Sequence, residues 1–225
     1  MKRRIPIYRR LINKVPAFDR GPNTYFGERA LTYVKDRQED ERWVREEQVL
    51  SELLRSQGEE LRVLDMPAGT GRFFNTLNEI GATTVAIDIS RDMLRQARQS
   101  AELHSYSADF SVRPAHKTGL AESSFDLVVC MRFFGMLSPN YASKVIKELA
   151  RVIKPGGLLL LYVVAKDDKA GSDDQSSVAR MSELTETKSL LFVERFGFAK
   201  RRSHEVGRSA GQKNLIVELE REKNG

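Results

Sequence analysis

The chain has one cysteine, one tryptophan and three histidines among its 225 residues. A lone cysteine, Cys130, excludes an intramolecular disulfide and suits a reducing cytoplasm. The scattered histidines and the one thiol fall at no spacing that would hold a metal, so none is expected. Long hydrophobic runs are also missing. The longest, Leu158 to Ala165, is too short to span a bilayer and reads as a buried strand. Met1-Lys2-Arg3-Arg4 is basic, but no apolar segment follows it, so a secretory signal is not expected.

What is present fits one sizeable core, with 40% of residues hydrophobic. The net charge is +6 and the sequence pI is near 9.5. The basic excess is uneven. Lys2, Arg3, Arg4, Arg9, Arg10, Lys14 and Arg20 stand against Asp19 in the first twenty residues, and Lys200-Arg201-Arg202 form a second cluster. Such clusters fit an anionic partner such as RNA, or a solvated face. Without a nucleic-acid module beside them, the solvated face is the simpler reading.

The most informative stretch is Val63-Leu64-Asp65-Met66-Pro67-Ala68-Gly69-Thr70-Gly71-Arg72, an apolar strand ending in an acid and followed by a turn of small residues. Val85-Ala86-Ile87-Asp88 makes a second short strand ending in an acid. An open α/β sheet builds a nucleoside-cofactor pocket in this way, at the carboxyl ends of its strands. A dinucleotide fingerprint would carry a third glycine, but Phe74 follows Gly69-Thr70-Gly71-Arg72-Phe73. Asp65 would also repel a pyrophosphate. It suits a cofactor with a cationic ammonium, so a nucleoside bearing an amino acid fits better, and an NAD-dependent dehydrogenase is disfavoured.

These residues resemble the glycine-rich first motif of class I S-adenosylmethionine-dependent methyltransferases. Three further segments extend the resemblance: Asp88 at the position of the ribose-binding acid, Ser124 to Cys130 as the fourth strand, and Leu149 to Gly157 as the helix-turn before the fifth. The likeness is detailed over residues 60 to 165. It implies an α/β fold, a doubly wound Rossmann-like sheet, mostly parallel, with seven strands and a C-terminal antiparallel hairpin. It also implies S-adenosylmethionine as cofactor. The expected organisation is a basic N-terminal arm or cap over residues 1–40 and a cofactor-binding domain over 41–225.

Periodicity places the elements. A helix is expected over roughly 40–57 with Trp43, Leu50 and Leu54 on one face, then a strand at 61–66 and a helix burying Phe73, Leu77 and Ile80. A strand at 83–88 precedes a helix capped by Ser90 or Asp92 that presents Met93, Leu94, Ala97 and Ala101. The third strand falls within 105–113 and the fourth at 125–131. A helix over 139–154 buries Val145, Ile146, Leu149, Val152 and Ile153. Pro155-Gly156-Gly157 predicts a turn before a continuous apolar strand, 158–164. A polar loop over 166–177, a helix near 180–195 and a closing antiparallel pair at 198–206 and 214–220 complete the map.

The resemblance supplies the site. Asp65, Ala68, Gly69, Thr70 and Gly71 form the cofactor turn, Asp88 takes the ribose, and Ile89 packs on adenine. The family has an acid followed by alanine where this chain has Pro114-Ala115-His116. Ala115 keeps a backbone amide for adenine, His116 can close over it, and Asp109 is an alternative acceptor for the adenine amino group. Pro67 replaces the family's usual glycine. Met131 and Arg132 stand where methyl donor and acceptor meet, and Tyr25 and Arg29 are candidates to cover the methionine end. Phe133, Phe134 and Met136 read as packing groups, Cys130 as buried and Asp126 as structural. No catalytic residue is assigned, with Arg132, His116 and Tyr141 as places to look for a base. A small-molecule or lipid-like acceptor is expected. The alternatives are an RNA methyltransferase using the basic arm, or a regulatory protein that binds the cofactor without turnover.

Overall fold

The computed structural model describes residues 25–37, 39–167, 179–209 and 211–223. The basic arm over 1–20 and most of the polar loop after Lys166 lie outside these residues. Among the described residues two helices precede the sheet: a single turn, α1 (Glu28–Leu31), and the sixteen-residue α2 (Glu41–Ser56). The sheet domain then runs β1 (Arg62–Asp65), α3 (Phe74–Glu79), β2 (Thr83–Asp88), α4 (Arg91–Leu103), β3 (Ala108–Val112), β4 (Phe125–Cys130), α5 (Pro139–Val152), β5 (Ile153–Lys166), α6 (Glu186–Glu194), β6 (Phe198–Ser209) and β7 (Gln212–Arg221). The seven strands form one sheet in the order β3-β2-β1-β4-β5-β7-β6. β1 to β5 are parallel, while β7 pairs antiparallel with both β5 and β6.

The chain order reverses at β1, which lies between β2 and β4. A crevice therefore opens at the carboxyl ends of these strands. The helices around it start where the sequence supplies an oxygen. Asp40 caps α2, Ser138 caps α5 with Pro139 in its first turn, and Thr185 caps α6. Ser90, and not Asp92, caps α4 by accepting from the Met93 amide.

β5 shows why a strand in this sheet reads as one apolar run. Leu159, Leu161 and Val163 face α5 and α6, together with Leu149, Leu190 and Val193. Leu158, Leu160 and Tyr162 face the other layer, with Leu50 and Leu54 of α2, Leu77 of α3 and Leu94 of α4. Both faces are covered, so the alternation of a half-exposed strand is lost.

Pro155-Gly156-Gly157 does not separate α5 from β5 as a turn. The strand begins at Ile153, opposite Phe125, and its next registered pair is Leu158 with Leu127. The intervening residues form a bulge within the strand. A Cβ on Gly157 would stand 2.9 Å from the Asp126 carbonyl oxygen and 2.9 Å from that of Lys154. Asp126 anchors this end of the sheet as expected, accepting from the Arg62 amide at 3.0 Å and from Lys154 Nζ at 2.6 Å.

Gly157→Ala is expected to lower unfolding free energy by about 1–3 kcal/mol, because backbone oxygens cannot yield as a side chain would. Arg55→Ala, which removes the exposed Arg55–Glu79 pair, is expected to change it by less than about 1 kcal/mol. Urea denaturation of the two variants checks both values.

Candidate nucleoside-binding site

The crevice is built by the turn between β1 and α3. Met66 N–H donates to the Val129 carbonyl at 2.9 Å and Ala68 N–H to that of Ile87 at 2.9 Å, so the turn is tied to both neighbouring strands. Gly69 and Gly71 have φ of +57° and +75°, which glycine adopts without strain. A Cβ on Gly71 would also stand 2.4 Å from the Phe74 ring. Gly69 N–H donates to Asp88 Oδ2 at 3.0 Å, and Ser90 N–H to Asp88 Oδ1 at 2.8 Å. The two strand-end acids therefore lie side by side, Asp65 2% exposed and Asp88 8%.

Their electrostatics are unusual for carboxyls. Burial, then the neighbouring Asp88 charge, push Asp65 up to about 8. Burial raises Asp88 to about 6, opposed by backbone N–H groups of Ser90, Gly69 and Ile89. Asp65 Oδ2 has no hydrogen-bond partner among the described residues. A buried carboxyl oxygen without a donor is a group waiting for one. Nearby Cys130 is fully buried, and burial, then the Asp65 charge, push its thiol up to about 12. It is therefore inert.

The remaining expected residues spread around this pair. Thr70 and Ala68 are buried in the turn, and Ile89 is partly buried beyond Asp88. Ala115 is buried after β3, and His116 Nδ1 lies 2.8 Å from the Tyr141 hydroxyl. Asp109 does not reach this edge. It is exposed, opposite Val85 in the sheet, and three residues short of the end of β3.

Tyr25 sits at the rim, where its carbonyl accepts from Ser90 Oγ. Gly27 N–H donates to Asp92 at 2.9 Å, and Gln96 Nε2 donates to the Ala30 carbonyl, so the segment around α1 lies along α4. Arg29 is on the exposed side of α1.

Met131 is buried at the end of β4, and Arg132 follows with a left-handed φ of +49°. Arg132 Nε and Nη2 donate to the two carboxylate oxygens of Glu46 at 2.6 and 2.9 Å, so its charge is committed to α2.

The structure adds residues that sequence reasoning missed. Glu46 is completely buried and shared with Arg72, which stands just after the glycine turn, at 3.3 Å. Arg72 also lies over the Trp43 ring, 3.5 Å from its centroid, and Arg132 lies 4.9 Å from it. The Tyr33 ring meets Trp43 at 5.7 Å and Tyr25 at 4.6 Å. One signal for this cluster was in the sequence. Glu46 falls on the same helical face as Trp43, Leu50 and Leu54, and a charge inside an apolar stripe needs a buried partner.

The fold brings these two acids together beside a glycine turn at the carboxyl edge of an α/β sheet. Residues 63–157 match the family model described as a methyltransferase domain. The chain is 37% identical to the biotin biosynthesis bifunctional protein BioHC of Cellvibrio japonicus, over 48% of this chain and 20% of that protein. It is 34% identical to the ubiquinone biosynthesis O-methyltransferase of Paracidovorax citrulli, over 48% of this chain and 46% of that one. The chain thus spans less than half the length of these curated relatives. Magnesium protoporphyrin IX methyltransferase from Synechocystis PCC 6803, solved with bound SAH, superposes with a TM-score of 0.68 at 20% identity, covering 91% of this chain and 97% of that one. The match over residues 63–157 is thus to a methyltransferase domain, and the superposition shows that the fold is shared.

Two outcomes follow from the buried charges. Glu46→Ala leaves both Arg72 and Arg132 without their shared carboxylate, at an expected cost of about 3–5 kcal/mol in chemical denaturation. Asp65 has the opposite sign. Its pKa in the fold is above the unfolded value, so the fold binds the extra proton and loses stability as pH rises from about 4 to about 8. Asp65→Asn is therefore expected to raise the stability of the ligand-free protein by about 1–3 kcal/mol at pH 8 and to change it little near pH 4. Thermal melts at the two pH values check this.

Proposed function

We propose that this protein is an S-adenosylmethionine-dependent methyltransferase acting on a small organic acceptor. The observation that carries the reading is the pair Asp65 and Asp88 flanking the Gly69–Gly71 turn, with Asp65 Oδ2 unpartnered. The residues present fit the cofactor. Asp88 can accept from the ribose hydroxyls, Asp65 can receive the ammonium, and the Gly69 and Gly71 turn lets the methionine end approach the backbone. Ile89, Ala115 and His116 stand where adenine would lie.

When bound, the cofactor supplies a methyl group on a sulfonium, already a good leaving group. The chain's contribution is then alignment, which accounts for much of the acceleration in such a displacement. Met131 and Arg132 end β4 on the side where the acceptor would meet the methyl group. Arg132 does not serve as a base there, because the Glu46 carboxylate outweighs burial and holds its pKa above the ordinary value. His116 and Tyr141 form the titratable pair on the adenine side of the crevice. Tyr25 and Tyr33, from the segment before residue 40, stack toward Trp43 of α2, so the cap segment over residues 25–40 rests on the catalytic domain.

Similarity to an O-methyltransferase of ubiquinone biosynthesis supports a small organic acceptor. In the second basic cluster, Lys200 pairs with Glu186 and Arg201 with Glu220, as on a solvated strand face. Among the described residues no helix is long and apolar enough to cross a membrane. Burial of the single thiol, Cys130, supports a cytoplasmic setting.

Calorimetric titration with S-adenosylmethionine and S-adenosylhomocysteine tests the assignment. Binding is expected in the micromolar range, and Asp88→Ala is expected to weaken it by ten- to a hundredfold, since hydrogen bonds to a charged group are lost. Absence of binding to the wild-type protein refutes the reading. Transfer of a labelled methyl group to a small-molecule fraction of cell extract separates an enzyme from a non-catalytic binder.

A further inference from the structure

The crevice holds two carboxyls, Asp65 and Asp88, where the cofactor reading calls for a single cationic ligand group. Asp65 is 2% exposed and its Oδ2 is unpartnered among the described residues. The titratable groups facing it are all acidic. They are Asp88 at the end of β2, Cys130 at the end of β4, and Tyr106 ahead of β3, whose hydroxyl bonds to Thr84. Among the described residues no basic side chain pairs with either aspartate. Asp88 differs from Asp65 in having backbone donors on both of its oxygens, Gly69 on one and Ser90 on the other.

These two environments assign different protonation to the two acids before a ligand arrives. Above its raised value of about 6, Asp88 carries its charge on backbone N–H groups. Asp65, lacking a donor on Oδ2 and facing a like charge, holds a proton.

We propose that Asp65 is a charge-selecting residue that exchanges its proton for the cationic amine of an amino-acid-bearing nucleoside. The inference rests on the cofactor reading above. In balanced form, a neutral Asp65 carboxyl and a ligand ammonium give a carboxylate–ammonium pair and one proton released to solvent. No bond in the ligand changes. A nucleoside without the amine leaves Asp65 neutral and releases no proton there. The site thus discriminates by pH: as the pH rises, less free energy is needed to strip the proton, and only the amine-bearing ligand gains from this. Asp88 meets the ribose of either ligand, so its own titration cancels when the two are compared.

The probes are S-adenosylhomocysteine and 5′-methylthioadenosine, the same nucleoside thioether without the amino acid. Each is titrated calorimetrically into the full chain in two buffers of different ionisation enthalpy, at several pH values between 5.5 and 7.5. S-adenosylhomocysteine is expected to release about one proton more than methylthioadenosine. Its affinity advantage is expected to grow with pH, approaching tenfold per unit for a one-proton exchange. In Asp65→Asn, which is isosteric with the neutral carboxyl, both ligands are expected to show the same pH dependence. Equal proton release and a pH-independent affinity ratio in the wild-type protein overturn the proposal while leaving the cofactor assignment standing, and so does an Asp65→Asn variant that keeps the pH-dependent advantage. Binding of neither nucleoside overturns the cofactor reading and this inference together.

Discussion

Glu46 is the contact on which the site's architecture depends. A carboxylate with no solvent exposure is costly unless it is paired, and here one carboxylate serves two arginines from distant parts of the chain. Arg72 belongs to the end of the glycine turn and Arg132 to the segment after β4. Both halves of the crevice are thus referenced to a single position on α2. Trp43, one helical turn earlier, adds an indole face on which both guanidinium groups lie. The helix that carries the cap is also the helix that fixes the distance between the two sides of the site.

Beyond this cluster the charge balance changes. Asp65 and Asp88 lie at the ends of adjacent strands, and the second acid is satisfied by backbone amides while the first is not. Parallel strands bring their ends together on one edge, and the topology alone puts two acids there. The fold tolerates the arrangement because a protonated carboxyl is far cheaper to bury than a charged one. The buried acid at Asp65 lowers the stability of the fold once it is charged, a cost typical of positions kept for a purpose other than stability.

Much of this was legible in the sequence. Strands ending in Asp65 and Asp88, the glycines between them, the Ser90 cap and the buried face of α4 all depend on local spacing, which sequence displays directly. The closing antiparallel pair was legible for the same reason. What was hidden depends on distance. Arg132 and Glu46 are 86 positions apart, and only the tertiary fold turns a candidate substrate arginine into a structural one. The bulge at Lys154–Gly157 was misread because proline and glycine signal a turn locally, whereas pairing with β4 keeps the segment in the sheet. Asp109 lies three residues short of the end of β3 because a strand's register, invisible in composition, decides which residue reaches the edge.

The placement of Trp43 has an optical consequence. It is the only indole in the chain, and two guanidinium groups, one from each wall of the crevice, stand at its face. An indole excited state is sensitive to nearby charge, so any shift of the glycine turn relative to the end of β4 alters its emission without a label. The molecule carries its own spectroscopic gauge between the two walls of its site, undiluted by signal from any other tryptophan.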